Sequence, residues 1–238
     1  MCNPPFFTSI EDMVASAKKK GIPPSSACTG TTVEMVYEND GEIGFARRML
    51  EESRVLREQV QWYTTLFGKL SSVSTFVRKL KEIPEIHGNW AVTDFIQGQT
   101  KRWAVAWSYA DRRPTLAAAV VRNSSLKGCS PFPPELCIPI KSSENLVGRV
   151  QLLITGIQTI RYEWIPDSQA VFGEVVGDVW SRSARRAAQR GALVLGTDVQ
   201  LGFLITIFTE QVVIRWTRGR DAVLFESFCG MLKRKLNE

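Results

Sequence analysis

The residues best suited to chemistry stand almost at the start of the chain, where the sequence reads Asn3-Pro4-Pro5-Phe6. The two prolines have no backbone N–H and a fixed φ, so they hold a rigid turn that can point the Asn3 amide and a neighbouring carbonyl into one pocket. An amide oxygen and a carbonyl together suit the two hydrogens of an NH2 group. Phe6 adds a flat face on which a planar base can stack, an interaction worth about 1–3 kcal/mol per base.

Such a pocket suits group transfer to an exocyclic amine. The lone pair of that amine is delocalised into its ring, and two acceptors on its hydrogens favour a more tetrahedral nitrogen directed at a sulfonium methyl. The proton can leave after the transfer, so the chemistry needs no histidine base. From the tetrapeptide alone, three interpretations stay open: methylation of a base, methylation of a glutamine amide, and a buried structural turn.

Composition excludes several other classes. His87 is the only histidine, which excludes a multi-histidine metal site and leaves a serine triad one possible base. The five cysteines are scattered without a C-x-x-C pair, which is typical of reduced thiols in a cytosolic or nuclear protein and argues against zinc. No apolar run approaches the ~20 residues of a membrane span. We therefore expect neither a metal nor a membrane partner.

The charge balance permits a polyanionic partner. Thirty Lys and Arg against 24 Asp and Glu give a net charge of +6, and basic side chains can contact phosphates. Two clusters stand out, although a solvated charged surface is the alternative for each. They are Lys18, Lys19 and Lys20 in the first part of the chain, and Arg182, Arg185, Arg186 and Arg190 in the second.

Hydrophobic periodicity gives the elements that must position these residues. The first unit, residues 1–114, has predicted helices at 10–20, 42–58 and 71–81, and predicted strands at 61–67, 90–96 and 102–109. The last two strands are joined at 97–101 as a hairpin. A strand end, helix, strand, helix and hairpin in that order predict the second half of an α/β sheet with a terminal antiparallel pair.

A second unit is predicted after a linker at residues 115–147 that contains Pro131-Phe132-Pro133-Pro134. Within residues 148–238 the pattern indicates β-type alternation at 148–164, a helix at 171–190, two short strands at 201–215 and an amphipathic helix at 222–236. The second unit is therefore expected to be a small α+β domain.

Five blocks in the first unit carry a resemblance to a known family. They are Met1 to Phe7, the stretch EMVYENDGE at 34–42, Phe45-Ala46-Arg47-Arg48-Met49 with Glu52-Ser53, Trp62-Tyr63 with Leu66 and Gly68-Lys69, and Phe95 to Gln99 followed by Arg102 to Tyr109. In this order they resemble the RNA adenine-N(6) methyltransferases that include the bacterial large-subunit ribosomal RNA enzyme and eukaryotic methyltransferase-like protein 16. The blocks disfavour the glutamine-methylating relatives.

The resemblance implies a class I, Rossmann-like sheet and S-adenosylmethionine as the cofactor. Asn3, Pro4, Pro5 and Phe6 would be catalytic, with Asn3 also touching the cofactor. Phe7 would line the pocket. The resemblance further implies structured RNA as the partner, with U6 snRNA or ribosomal RNA as the target, in the nucleus or cytoplasm. The stretch Ile214 to Asp221, together with Trp180, resembles the C-terminal region of the eukaryotic members. The remaining candidate RNA contacts are Lys18, Lys19, Lys20, Gln97, Gln99, Lys101 and Arg102, together with Arg182, Arg185, Arg186 and Arg190 in the second unit. For the four at the hairpin, 97–102, a structural turn with surface charges is the alternative.

The chain departs from the family in one respect. A class I methyltransferase binds its cofactor with a Gly-rich loop after the first strand and an acidic residue after the second, and neither precedes Asn3. We therefore expect a fragment that lacks the cofactor-binding half and is inactive by itself. The alternative is a noncatalytic RNA-binding or vestigial protein.

Overall fold

The computed structural model describes residues 1–19, 32–97, 100–119, 124–142, 144–157 and 159–238. They form two compact units, which we call the N-terminal unit (Met1–Ala110 with Ala117–Pro131) and the C-terminal unit (Asp111–Leu116 with Phe132–Glu238). Both combine helices with antiparallel strands. The mixed α/β class expected from the sequence is therefore confirmed.

The N-terminal unit follows the predicted order of elements closely. Its sheet has the order β1-β3-β2, and β3 is antiparallel to both neighbours. The helices and strands are α1 (Ile10–Lys19), α2 (Thr32–Met35), α3 (Gly41–Leu56), β1 (Tyr63–Phe67), α4 (Leu70–Lys81), β2 (Trp90–Gln97) and β3 (Thr100–Trp107), and a short helix α5 (Leu116–Ala119) lies where the two units meet in the sequence.

One further residue extends this sheet. Cys2 forms a parallel bridge with Thr65 on the outer side of β1. Its backbone N–H donates to the Thr64 carbonyl over 2.7 Å, and the Leu66 N–H donates to the Cys2 carbonyl over 3.1 Å. The Asn3-Pro4-Pro5-Phe6 turn therefore leaves the sheet directly beside β1.

The core of the N-terminal unit explains why α4 forms where the pattern predicts it. Val73, Phe76, Val77 and Leu80 recur at helical spacing and are all buried. They pack with Trp107 and other buried side chains of the sheet. This apolar face fixes the helix against β1 and β3, so the loop between β1 and α4 has a defined place beside the turn.

The C-terminal unit is a five-stranded antiparallel sheet of order β4-β8-β7-β6-β5 with a core shared with two long helices. The predicted pair of strands at 201–215 and the helix at 222–236 are confirmed. The elements are β4 (Glu135–Pro139), α6 (Leu146–Thr155), β5 (Arg161–Ile165), β6 (Ala170–Val175), α7 (Arg182–Gln189), β7 (Leu201–Ile207), β8 (Gln211–Arg218) and α8 (Ala222–Asn237).

Two predictions in the C-terminal unit are wrong. Residues 148–164 were expected to be β structure, but most of helix α6 lies there, and only the end of this stretch belongs to a strand, β5. Leu146, Val150 and Ile154 of α6 are buried at four-residue spacing. The helix at 171–190 is instead a strand, β6, followed by α7. The true helix starts after Ser181, whose hydroxyl accepts the Ala184 N–H and caps it.

The stretch predicted as a linker, residues 115–147, contains buried residues. The structure divides the chain into its two units at other positions. Ile138 in β4 is fully buried, and β4 pairs with β8. Leu126 is fully buried in the core of the N-terminal unit, where the Trp90 indole N–H donates to the Cys129 carbonyl over 2.9 Å. A proline-rich composition marked this stretch as a loop, but its apolar residues contribute to both cores.

Replacing Gly173 with alanine tests the core of the C-terminal unit. A Cβ at Gly173 would lie 2.8 Å from Cε2 of the fully buried Phe203 ring, so we expect the free energy of unfolding to fall by about 1–3 kcal/mol. Gly230→Ala is the matched control, because nothing lies within 4 Å of a Cβ added there, and removing a helical glycine should stabilise by about 0.5–1 kcal/mol. Urea denaturation of the two variants measures both changes, and equal effects would contradict this packing.

Candidate functional site

The Asn3-Pro4-Pro5-Phe6 turn is held at both ends. At one end Cys2 pairs with β1, and at the other the Phe7 N–H donates to the Met35 carbonyl over 3.0 Å while the Tyr37 N–H donates to the Phe7 carbonyl over 2.9 Å. Pro4 and Pro5 are buried, whereas Asn3 is exposed. The prolines therefore anchor the turn, and the amide that could hold an amine faces outward.

The beginning of α3 packs tightly against the same turn. Gly41, the first residue of α3, has φ +56°, and a Cβ there would lie 3.2 Å from Thr8 Cγ2 and 3.3 Å from the Phe7 carbonyl carbon. Only glycine combines this backbone conformation with so close an approach. The helix is thereby fixed beside the backbone that follows Phe6.

The Phe6 ring is half-buried and has two defined neighbours. The Arg102 guanidinium carbon lies 4.7 Å from the ring centroid, within the range of a cation–π contact. On the ring edge, a Cβ added to Gly68 would lie 3.2 Å from Phe6 Cδ1. Burial lowers the pKa of the Arg102 guanidinium, and the charge of Glu42 opposes that shift. The structure thus brings together Phe6 and Arg102, two residues predicted separately.

Glu42 also belongs to this site, although the sequence analysis did not single it out. Its side chain is buried in the first turn of α3 and accepts the backbone N–H groups of Gly68 and Lys69. The only signal in the sequence is its position in the EMVYENDGE block. An acidic residue in the first turn of a helix is common for reasons of helix capping and dipole, so the pattern gave no reason to expect burial.

Several other predicted contacts lie apart from the Phe6 ring or outside the described residues. Lys101 is separated from Arg102 because adjacent strand residues point to opposite faces, and it pairs with Asp94 over 2.7 Å. Lys18 is exposed on α1. The predicted contacts Lys20 and Gln99 lie outside the described residues, as do the side chains of Lys19 and Gln97.

The four predicted arginines of the C-terminal unit lie along one helix. Their spacing of i, i+3, i+4 and i+8 places them on one side of α7 and its C-terminal end, over about 12 Å at 1.5 Å per residue. All four are exposed, and no acidic side chain in the described residues forms an ion pair with any of them. We call this set, Arg182, Arg185, Arg186 and Arg190, the arginine ridge.

The described residues hold no group of three or more His, Cys, Asp or Glu side chains that could bind a metal ion. Among those same residues, no helix combines the length and apolar character that a membrane crossing requires.

Comparison with known proteins addresses both units. Residues 1–111 match a family described as RNA methyltransferase. The U6 small nuclear RNA (adenine-(43)-N(6))-methyltransferase of Schizosaccharomyces pombe is 34% identical over 248 residues, which cover 100% of this chain and 60% of that protein. The RNA N(6)-adenosine-methyltransferase METTL16 of Mus musculus is 36% identical over 115 residues, covering 47% of this chain and 20% of that protein.

A bacterial protein is similar over the same part of the chain. Ribosomal RNA large subunit methyltransferase F of Pseudoalteromonas translucida is 36% identical over 118 residues, covering 47% of this chain and 37% of that protein. Residues 1–111 thus match the family of RNA methyltransferases that the sequence blocks indicated. The chain spans 60% of the fission yeast relative and smaller shares of the other two.

Proposed function

We propose that this chain is the amine-holding and RNA-binding part of an S-adenosylmethionine-dependent RNA adenine-N(6) methyltransferase. The observation that carries the proposal is that the exposed Asn3 and the half-buried Phe6 belong to one turn held at both ends, in a unit whose residues 1–111 match the RNA methyltransferase family. A target adenine would stack on Phe6 and offer its N6 amine to the Asn3 amide oxygen and the Pro4 carbonyl. Phe7 would line the pocket.

The part played by each residue follows from the chemistry of an aromatic amine. Two fixed acceptors lower the barrier by orienting the amine and by stabilising the positive charge that develops on it. S-adenosylmethionine supplies the methyl group when bound. Asn3 is the described residue that fits the methyl-donating end of this cofactor, since its amide is exposed where the turn leaves the sheet.

The sheet supports the finer assignment as the C-terminal half of a class I methyltransferase domain. A parallel neighbour at Cys2, followed by β1 and the antiparallel β3 and β2, is the order expected for that half. The strands that hold most of the cofactor would then lie on the far side of Cys2. In this proposal the C-terminal unit, Asp111–Leu116 with Phe132–Glu238, is a small α+β domain.

The C-terminal unit is proposed to bind structured RNA through the arginine ridge. Unpaired, exposed arginines on one side of a helix can contact successive phosphates. The similarity to the fission yeast U6 snRNA methyltransferase extends over the whole chain, which favours a U6-type target in the nucleus over ribosomal RNA. Lys18 and the other predicted contacts of the N-terminal unit would add contacts to the RNA.

A noncatalytic RNA-binding role is the second candidate. It is favoured by the arginine ridge, which is exposed and forms no ion pair with an acidic side chain of the described residues. In that case the chain would bind RNA without contributing to methyl transfer under any condition.

Methyl transfer separates the two candidates. The 238-residue chain alone is expected to transfer no labelled methyl from S-adenosylmethionine to a U6-type hairpin RNA. A chimera in which this chain replaces the aligned segment of the fission yeast relative is expected to transfer it, because that segment corresponds to the whole of this chain. An inactive chimera that is folded and binds RNA would favour the noncatalytic role, and activity of the chain alone would contradict the proposal that this chain is only the amine-holding and RNA-binding part.

A further inference from the structure

Glu42 is a buried carboxylate that the proposed chemistry does not use. It is 3% exposed. The Gly68 N–H donates to its Oε2 over 2.6 Å, and the Lys69 N–H donates to its Oε1 over 3.1 Å. Burying a carboxylate is costly unless donors satisfy it, and here two backbone donors do so. The carboxylate thus ties the loop between β1 and α4 to the first turn of α3.

Gly68 connects this carboxylate to the aromatic ring. A Cβ at Gly68 would lie 3.3 Å from Glu42 Oε2 and 3.2 Å from Phe6 Cδ1, so the glycine fills the space between the two side chains. The Phe6 ring in turn lies under the Arg102 guanidinium. One series of contacts therefore runs from Glu42 through Gly68 to the Phe6 ring, and from that ring to Arg102.

We propose that Glu42 is a positioning residue of the adenine pocket, which fixes the Phe6 ring through Gly68 and holds Arg102 over that ring by its charge. The inference rests on the proposed function, because Phe6 is the ring expected to stack on adenine. A carboxylate is required because both of its oxygen atoms are acceptors, so each can accept one of the two N–H donors. A glutamine would turn an NH2 group toward one of them and lose that hydrogen bond.

The first test needs no RNA. The Phe6 ring current should shift the side-chain Nε–H resonance of Arg102 upfield in the free chain, and Arg102→Lys identifies the signal by its loss. Glu42→Gln is expected to move this resonance most of the way to its random-coil position. Glu52→Gln is the matched control, since Glu52 lies in the same helix, is exposed and pairs with Arg48 over 2.9 Å. An unchanged Arg102 resonance in Glu42→Gln would overturn the inference.

Gly68→Ala provides a second variant if Glu42→Gln does not fold. Its methyl group would press on Phe6 Cδ1 while the carboxylate remains, so the Arg102 resonance should again move. An unchanged Arg102 resonance in Gly68→Ala would mean that Gly68 does not connect Glu42 to the ring, and the inference would be overturned.

The second test separates the inference from the proposed function. A short RNA with one 2-aminopurine reports stacking by fluorescence quenching. Glu42→Gln should reduce the quenching at saturation several-fold, while the RNA affinity, set mainly by phosphate contacts, changes less than about twofold. Equal losses of quenching and affinity would indicate a merely structural role and overturn the inference. A wild-type chain that binds this RNA without quenching would contradict the adenine pocket but not the Arg102 measurement.

Discussion

Replacing Asn3 with alanine is expected to lower the methyl-transfer rate constant of the chimera by about 10²–10³-fold, the usual effect of removing one oriented polar group from a reacting centre. Asn3 is exposed at the end of a turn anchored by the buried Pro4 and Pro5, so its truncation leaves the packing of the turn intact. The affinity for RNA should change little, because the amide contacts the amine and not the phosphates. Single-turnover kinetics with a U6-type hairpin measure the rate constant separately from binding.

Two further variants make this result specific. Asn39→Ala removes an exposed amide from the turn before α3 and should leave the rate constant unchanged. Asn3→Asp keeps an acceptor oxygen at the same place and should retain part of the activity. If Asn3→Ala binds RNA normally and methylates at the wild-type rate, the amide does not hold the amine.

Replacing the whole arginine ridge with glutamine is expected to weaken RNA binding about 10- to 100-fold near physiological salt. Each phosphate contact contributes about 0.9 to the slope of log affinity against log salt concentration for a duplex, so the magnitude of the slope should fall by about 3.6 when four contacts are lost. The arginines are exposed and unpaired in the described structure, so the change should hardly alter stability. Filter binding at several salt concentrations gives both numbers.

A charge-matched control distinguishes a specific surface from general attraction. Four exposed basic residues that already have acidic partners can be changed to glutamine instead, with the same loss of net charge: Arg48, Arg54, Lys79 and Lys235. This variant should lose less than about threefold in affinity, because surface ion pairs contribute little and compete with phosphates. Equal losses in the two variants would count against the ridge as the RNA-binding surface.

Local sequence signals predicted the N-terminal unit well. The apolar residues of α4 recur at helical spacing, and the β2–β3 hairpin alternates around its turn, so both elements follow from short-range periodicity. The same was true of α8. The Asn3-Pro4-Pro5-Phe6 turn could be identified because proline restricts the backbone whatever surrounds it. These features depend on neighbours in the sequence.

The features that the sequence did not predict depend on contacts between residues that are far apart in the sequence. The residues of α6 are rich in β-branched side chains, yet their burial against α8 selects a helix, and the strand β6 is fixed by pairing with β7 on one side and β5 on the other. Glu42 acquires its place only when Gly68, 26 residues later, folds back on it. Lys101 and Arg102 are adjacent in the sequence, but the strand directs them to opposite faces.

The chain enters the C-terminal unit at Asp111–Leu116, returns to the N-terminal unit at Ala117–Pro131 and leaves again at Phe132. No single peptide bond therefore separates the two folding units. A recombinant protein that stops near residue 111, where the family match ends, would lose the buried Leu126 and the carbonyl of Cys129 that accepts the Trp90 indole. A stretch with the composition of a spacer thus contributes to both cores, so truncation at one position cannot separate the N-terminal unit from the C-terminal unit.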